Sequence, residues 1–357
     1  MATAGLLGTG LLAVAAVCLG GGCSSLGGVG YYAQAVGGHV DLMRRARPVG
    51  QVLADAATPE PLRQRLQLSQ RLRDFAVDEL KLPDNPSYRR YADLERPAVV
   101  WNVVAAPELS LTLKTWCFPV MGCVGYRGYF DRAAADTLAA QLRAEGWEVR
   151  VYGVPAYSTL GWSNWIGGDP LLNTFIAWPE GELARLVFHE LAHQVAYADD
   201  DTTFNESFGT AVERIGGRRW VARHGTPALQ AQVLASESRR AAFQALAQRY
   251  RDALQAVYAS AADDATKRAQ KAEVMAALQA EYAVLKAGPW AGFAGYDAWF
   301  AQANNAYFGV LAAYTELVPE FERLFERQGD NFERFYAEVQ TLAALPKAQR
   351  RARLAGP

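Results

Sequence analysis

The stretch Leu183-Ala-Arg-Leu-Val-Phe-His189-Glu190-Leu-Ala-His193-Gln194 decides how this chain is read. No glycine or proline interrupts it, so it reads as a helix. Spacing i,i+4 places both imidazoles on one face, where two neutral rings reach a single ion. Leu183, Leu186, Val187 and Leu191 supply the apolar flank that buries the helix. Glu190 follows the first histidine, within reach of a water on such an ion. The whole chain holds 4 histidines, and two of them fall in this pentad, which argues against accident. The bland alternative is a buried helix with two hydrogen-bonded histidines.

A catalytic zinc takes three protein ligands and keeps one position open. Beyond His193, Phe204-Asn205-Glu206-Ser207-Phe-Gly-Thr210 opens a second helix. Packed on the first, it aims its early glutamate at the ion, so Glu206 is the predicted third ligand. Asp199 competes, standing where metzincin-type zinc proteins place theirs. Those proteins need a glycine for the turn between ligands, and here that position is Ala196. The run Asp199-Asp200-Asp201 therefore reads as a solvated loop. Glu213 lies two turns beyond Glu206 on the same face. It reads as orienting a ligand, meeting a substrate amine, or forming a surface salt bridge. His224 reads as structural or exposed. Two histidines, a glutamate ligand and a glutamate base are the parts of a zinc peptidase, with one Zn2+ per chain.

Composition agrees with an enzyme and excludes other classes. Hydrophobic residues are 51% and charged residues 20%, enough to bury a large core and too apolar for disorder. The net charge of −1 supplies no basic excess for nucleic acid. Residues 6–19 form an apolar run of signal-peptide length, too short and glycine-rich for a membrane span. It leads into Gly20-Gly-Gly-Cys23-Ser24, which is similar to a bacterial lipobox, with Gly20 standing where Leu is usual. This predicts a signal peptide over 1–22, lipidation at Cys23, and a membrane-anchored protein of the cell envelope. Ser24 points to the outer membrane, facing the periplasm. In an exported protein Cys117 and Cys123 read as a small-loop disulfide, with a thiolate metal pair as the weaker alternative.

Elsewhere the chain divides at about residue 180. The part from 23 to 180 reads as helices and a mixed β-sheet. Helices are predicted over 38–56 and 60–81, the second stopped by Pro83 and Pro86. Strands are predicted over 98–105, 109–115 and 147–154, with an Asp131-capped helix over 133–145 ended by Gly146. A further extended segment is predicted over 156–160. The part from 181 to 357 reads as helical, with a long hairpin over 226–260 and 264–287 and further helices over 303–328 and 330–344. The fold class is α+β, with a small mixed sheet and a mainly helical C-terminal part.

His-Glu-Leu-Ala-His-Gln followed by Asn-Glu-Ser-Phe resembles the gluzincin zinc metallopeptidases, the clan of thermolysin and aminopeptidase N. Within that clan the chain resembles a bacterial family of predicted aminopeptidase lipoproteins. The likeness extends over Tyr31-Tyr32-Ala-Gln-Ala-Val-Gly-Gly-His39, Phe118-Pro-Val-Met-Gly-Cys123, Tyr126-Arg127-Gly-Tyr129-Phe130, Tyr157-Ser-Thr-Leu-Gly161, Asp169-Pro170, Asn304-Asn305 and Val318-Pro319. It implies a gluzincin-like domain in which His189, His193 and Glu206 hold zinc and Glu190 is the base. It also implies an edge strand that binds substrate backbone, for which Ser158, Thr159, Leu160 and Gly161 have the right place. Tyr314, or else Tyr307, would stabilise the oxyanion. The sequence lacks the Gly-x-Met-Glu-Asn signature by which aminopeptidase N relatives hold a free amine. The expected function is a zinc-dependent aminopeptidase acting on peptides or proteins. The alternatives are a zinc endopeptidase, or a non-catalytic envelope assembly lipoprotein that binds partners through the hairpin.

Overall fold

The computed structural model describes residues 26–118, 122–156, 164 and 167–356. Helix α1 (Leu26–Arg45) belongs to one compact unit that ends at Arg45, and Ala46–Pro357 forms a second. The single helix expected over 38–56 is corrected at Pro48. Residues Arg47–Pro48 form a short strand, β1, and α2 (Val49–Ala54) starts anew. Pro48 lacks the N–H needed to continue a helix and forces its predecessor into extended backbone. Helix α3 (Glu60–Asp78) buries Leu66, Leu72 and Ala76, as its apolar spacing predicts.

Three small sheets follow. Strand β2 (Arg90–Ala92) pairs antiparallel with β1 and parallel with β8 (Leu171–Leu172). Strand β3 (Val100–Pro107) lies between β6 (Arg127–Tyr129) and β7 (Trp147–Val154), antiparallel to both, with Asn102 opposite Tyr152 and Val104 opposite Arg150. Strands β4 (Trp116–Phe118) and β5 (Gly122–Val124) form a ribbon in which Cys117 faces Cys123, and the two are joined as a disulfide. Helix α4 (Arg132–Ala144) opens where Asp131 accepts a hydrogen bond from the Ala133 N–H, and it ends before Gly146 at φ +87°. The predicted strand over 109–115 does not form. Leu111 instead packs among the C-terminal helices, and Leu113 lies against Gly125 and Gly309. The alternation there marks which side chains turn inward and not a ladder.

From Glu180 the chain is helical: α5 (Glu180–Ala192), α6 (Thr202–His224), α7 (Pro227–Ala259), α8 (Asp264–Ala287), α9 (Asp297–Gln302), α10 (Asn305–Thr315), α11 (Val318–Arg327), α12 (Phe332–Ala343) and α13 (Lys347–Ala355). The predicted hairpin is α7 with α8, capped by the side chains of Thr226 and Asp263. The helix expected over 303–328 is two helices, because Pro319 in the first turn of α11 cannot bond back to the preceding turn. Helix α5 lies at the centre, with Leu183, Ala184, Val187, Phe188 and Leu191 at 0% exposure. The molecule is thus α+β and mainly helical. Among the described residues no helix is long and apolar enough to cross a membrane.

Candidate metal centre

Helix α5 carries the pentad at its C-terminal end. Glu180 and Glu182 in its first turn suit the positive end of the helix dipole. His189 sits in the last turn and His193 is the C-cap residue, still in right-handed helical backbone. One turn therefore separates the two rings, whose centroids are 4.8 Å apart and nearly perpendicular. Both are buried, at 6% and 7% exposure.

Helix α6 brings the carboxylates. Its first turn is capped by the Asp201 side chain, which accepts from the Phe204 N–H at 3.1 Å. Asn205 closes the connection from α5 by accepting from the Ala198 N–H and donating to the Ala198 carbonyl, both at 2.8 Å. Glu206 then points back at α5. Its Oε2 lies 3.3 Å from His189 Nε2 and 3.8 Å from His193 Nε2. Ligand bonds of about 2.1 Å at tetrahedral angles place ligand atoms roughly 3.4 Å apart. The two imidazoles and the carboxylate, all within 4.8 Å of one another, fit that set. Ser207 ties α6 to the end of α10: its hydroxyl donates to the Ala313 carbonyl and accepts from the Leu317 N–H.

Behind the triad Glu213 accepts from His189 Nδ1 at 3.1 Å, and Arg185 donates to its other oxygen at 2.5 Å. The spacing left Glu213 open between three roles, and the structure makes it the group that orients His189. That leaves Nε2 free to face Glu206. Gly209 matters for the same ring. A Cβ there would lie 2.8 Å from His189 Cε1 and 2.9 Å from Nε2, so α6 approaches this closely only without a side chain. Sequence reading passed over Gly209 and over Gly216, two turns on, where a Cβ would strike Leu80 and Phe188.

Electrostatics follow from burial and the crowd of carboxylates. Burial opposes charge on His189, yet the hydrogen bonds to Glu206 and Glu213 lift its pKa well above the usual value. His193 is pushed by burial down to about 4, so it stays a neutral donor. Burial works against Glu213, but Arg185 and His189 hold it at about 2. Burial likewise works against Glu206, which His189, His193 and a hydrogen bond from Tyr314 keep below the ordinary carboxylate value. Glu190 is raised by burial to about 7. Three carboxylates around two imidazoles make a hole suited to a dication.

Two walls border the hole. On one side Tyr314 of α10 stacks on His189 with ring centroids 6.0 Å apart, and it keeps 37% exposure. Tyr307 lies two turns earlier, and its hydroxyl is committed to Gln302 at 3.0 Å. On the other side Gln194, directly after the pentad, bonds Asn85 and Ser87. The Ser87 hydroxyl also donates to Asn164 and accepts from the Asp169 N–H. Buried Arg73 holds this loop through the carbonyls of Pro83, Asn85 and Ser87. Its Tyr88, at φ +64°, is within electrostatic reach of Glu190. Sequence reading saw this loop only as a helix stop.

Asp199 is not part of the cluster of metal-ligating donors found among the described residues. Asp201, read as solvated, is buried at 1% exposure. His224 packs against Trp220 and meets Phe75 edge-on. Cys23 and the segment Ser158-Thr159-Leu160-Gly161 lie outside the described residues.

Against models of protein families, residues 30–354 match a family described as "Putative aminopeptidase". Comparison with curated proteins and with solved structures gives no significant match.

Proposed function

The chain belongs to the putative aminopeptidase family, and from that premise we propose that it is a gluzincin-like, zinc-dependent peptidase that removes residues from peptide N-termini. The observation that carries this reading is the set of His189, His193 and Glu206, whose donor atoms lie within 4.8 Å of one another, with Glu190 directly after His189 on the same helix. The chemistry that zinc supplies when bound is Lewis acidity, which polarises a carbonyl and brings the pKa of water towards about 7. Glu190 takes a proton from the attacking water and passes it to the leaving amine. Tyr314, beside His189, donates a hydrogen bond to the oxygen where negative charge develops. Arg185 and Glu213 keep His189 in one tautomer and one orientation. In this reading residues 1–22 are a signal, Cys23 carries lipid, and the enzyme faces the periplasm from the outer membrane. Cys23→Ala releasing the protein from the membrane fraction would agree with that anchor.

Metal content by elemental analysis tests the centre directly. About one zinc per chain is expected, and none in His189→Ala. Peptides with free and blocked N-termini then separate exopeptidase from endopeptidase action. A protein that stays metal-free after zinc addition would overturn the reading.

A second measurement addresses orientation. Glu213→Gln is expected to weaken zinc binding by about 10–100-fold, read by competition with a chelator. Unchanged affinity would mean that His189 does not depend on Glu213 for its geometry.

A further inference from the structure

Arg150 and Tyr152 alternate on one face of β7, opposite α10. The Arg150 guanidinium lies 4.5 Å from the Tyr152 ring centroid and 4.4 Å from that of Tyr307. Among the described residues the buried arginines each have oxygen acceptors: Arg73 three carbonyls, Arg185 Glu213, Arg350 Asp201. Arg150 is half-buried, and among the described residues no carboxylate or carbonyl receives any of its donors. Burial lowers its pKa, and the groups that offset this are the hydroxyls of Tyr152, Tyr307 and Tyr314. A guanidinium held over two rings, with its fork of N–H groups unused, is suited to receive a planar anion. Two tyrosines link it to the donor triad. Tyr314 stacks on His189 and lies within electrostatic reach of Arg150, and Tyr152 lies within reach of both Arg150 and Glu206.

We propose that Arg150 receives a carboxylate of the substrate, and that the enzyme thereby prefers short peptides whose C-terminal carboxylate lies on the leaving side of the bond broken. The assignment rests on the peptidase reading and names its substrate class. An acidic side chain on the leaving side offers the same chemistry.

The test is calorimetry with the zinc-loaded full chain, carrying Glu190→Gln to prevent turnover. The probes are Ala-Ala-Phe as free acid, Ala-Ala-Phe amide and Ala-Ala-Glu amide. The free acid is expected to bind at least about tenfold tighter than its amide. In Arg150→Gln the acid should fall to the level of the amide, while Arg150→Lys keeps part of the difference. Zinc content and Tm should stay unchanged in both. Tight binding of Ala-Ala-Glu amide would uphold the receptor and place its carboxylate on a side chain. Equal affinity for acid and amide, or discrimination that survives Arg150→Gln, would overturn the receptor. Wild-type cleavage of acid and amide alike would leave the peptidase reading standing and the receptor fallen. Discrimination in binding with no cleavage of any peptide would leave the reverse.

Discussion

Glu190→Gln is expected to keep about one zinc per chain and to lower kcat for peptide hydrolysis by about 10²–10⁴-fold, the usual contribution of a positioned acid–base group. Glutamine has the same shape and the same number of non-hydrogen atoms, so the packing of α5 survives the change. What it lacks is a lone pair basic enough to take a proton from water. Metal content separates the two effects, because the three proposed ligands are untouched. Glu190→Asp keeps a carboxylate one methylene short and should retain part of the rate. A Glu190→Gln protein with wild-type turnover would remove Glu190 from the base role.

The same residue sets a pH dependence. Burial is the largest cause of its raised pKa of about 7; His189 opposes it, while Glu206, Asp169 and Glu213 add to it. The proposed base acts in its deprotonated form, so activity is expected to rise with pH through this pKa and to be lost below it. A nearby dication favours the carboxylate and lowers the value. The acid limb of kcat/KM for the zinc-loaded enzyme is therefore expected at or below about pH 7. A rate that stayed level down to pH 4 would contradict this.

The pentad was legible because its chemistry is local: one helical turn sets the geometry of His189, Glu190 and His193 without help from distant parts of the chain. Glu206 was legible one step further, because a glutamate early in the next helix has few other places to point. Arg150 and Tyr314 were not legible as neighbours, because β7 and α10 meet through tertiary packing and no spacing rule joins them. Gly209 was passed over because its meaning lies in what a Cβ would strike. Pro48 and Pro319 did break the two overlong helices, and α3 ends at Asp78, three residues short of the expected 81. The run Asp199-Asp200-Asp201 shows the limit most clearly. Three acids in a row look solvated until a partner is known, and the partners of Asp201 are Arg350 and Arg351, about 150 residues away.

That cluster gives the largest expected loss of stability. Asp201 accepts from the Phe204 N–H at the start of α6 and also from Arg350 and Arg351 of α13. Arg350 further donates to the carbonyls of Leu342, Ala343 and Leu345, at the end of α12 and just beyond it. Asp201→Asn keeps the size but removes the charge, leaving the buried Arg350 guanidinium with only the exposed Asp200 as counter-ion. Breaking a buried pair from one side costs about 3–5 kcal/mol, which for a unit of this size lowers Tm by roughly 5–10 °C. The sign with pH follows from the lowered pKa of Asp201, where the charge and hydrogen bonds of Arg351 and the Phe204 N–H outweigh burial. A depressed folded pKa gives stability that is present above the unfolded value of 3.8 and is lost as pH falls through the folded one. The gap between wild type and Asp201→Asn should therefore be full at pH 5–8 and close below pH 3.8. Glu206 lies in the second turn of the helix that Asp201 caps, so the same variant should also bind zinc more weakly. A variant that melts with the wild type at pH 7 would show that α13 holds α6 by its apolar contacts and that the buried charges are not needed.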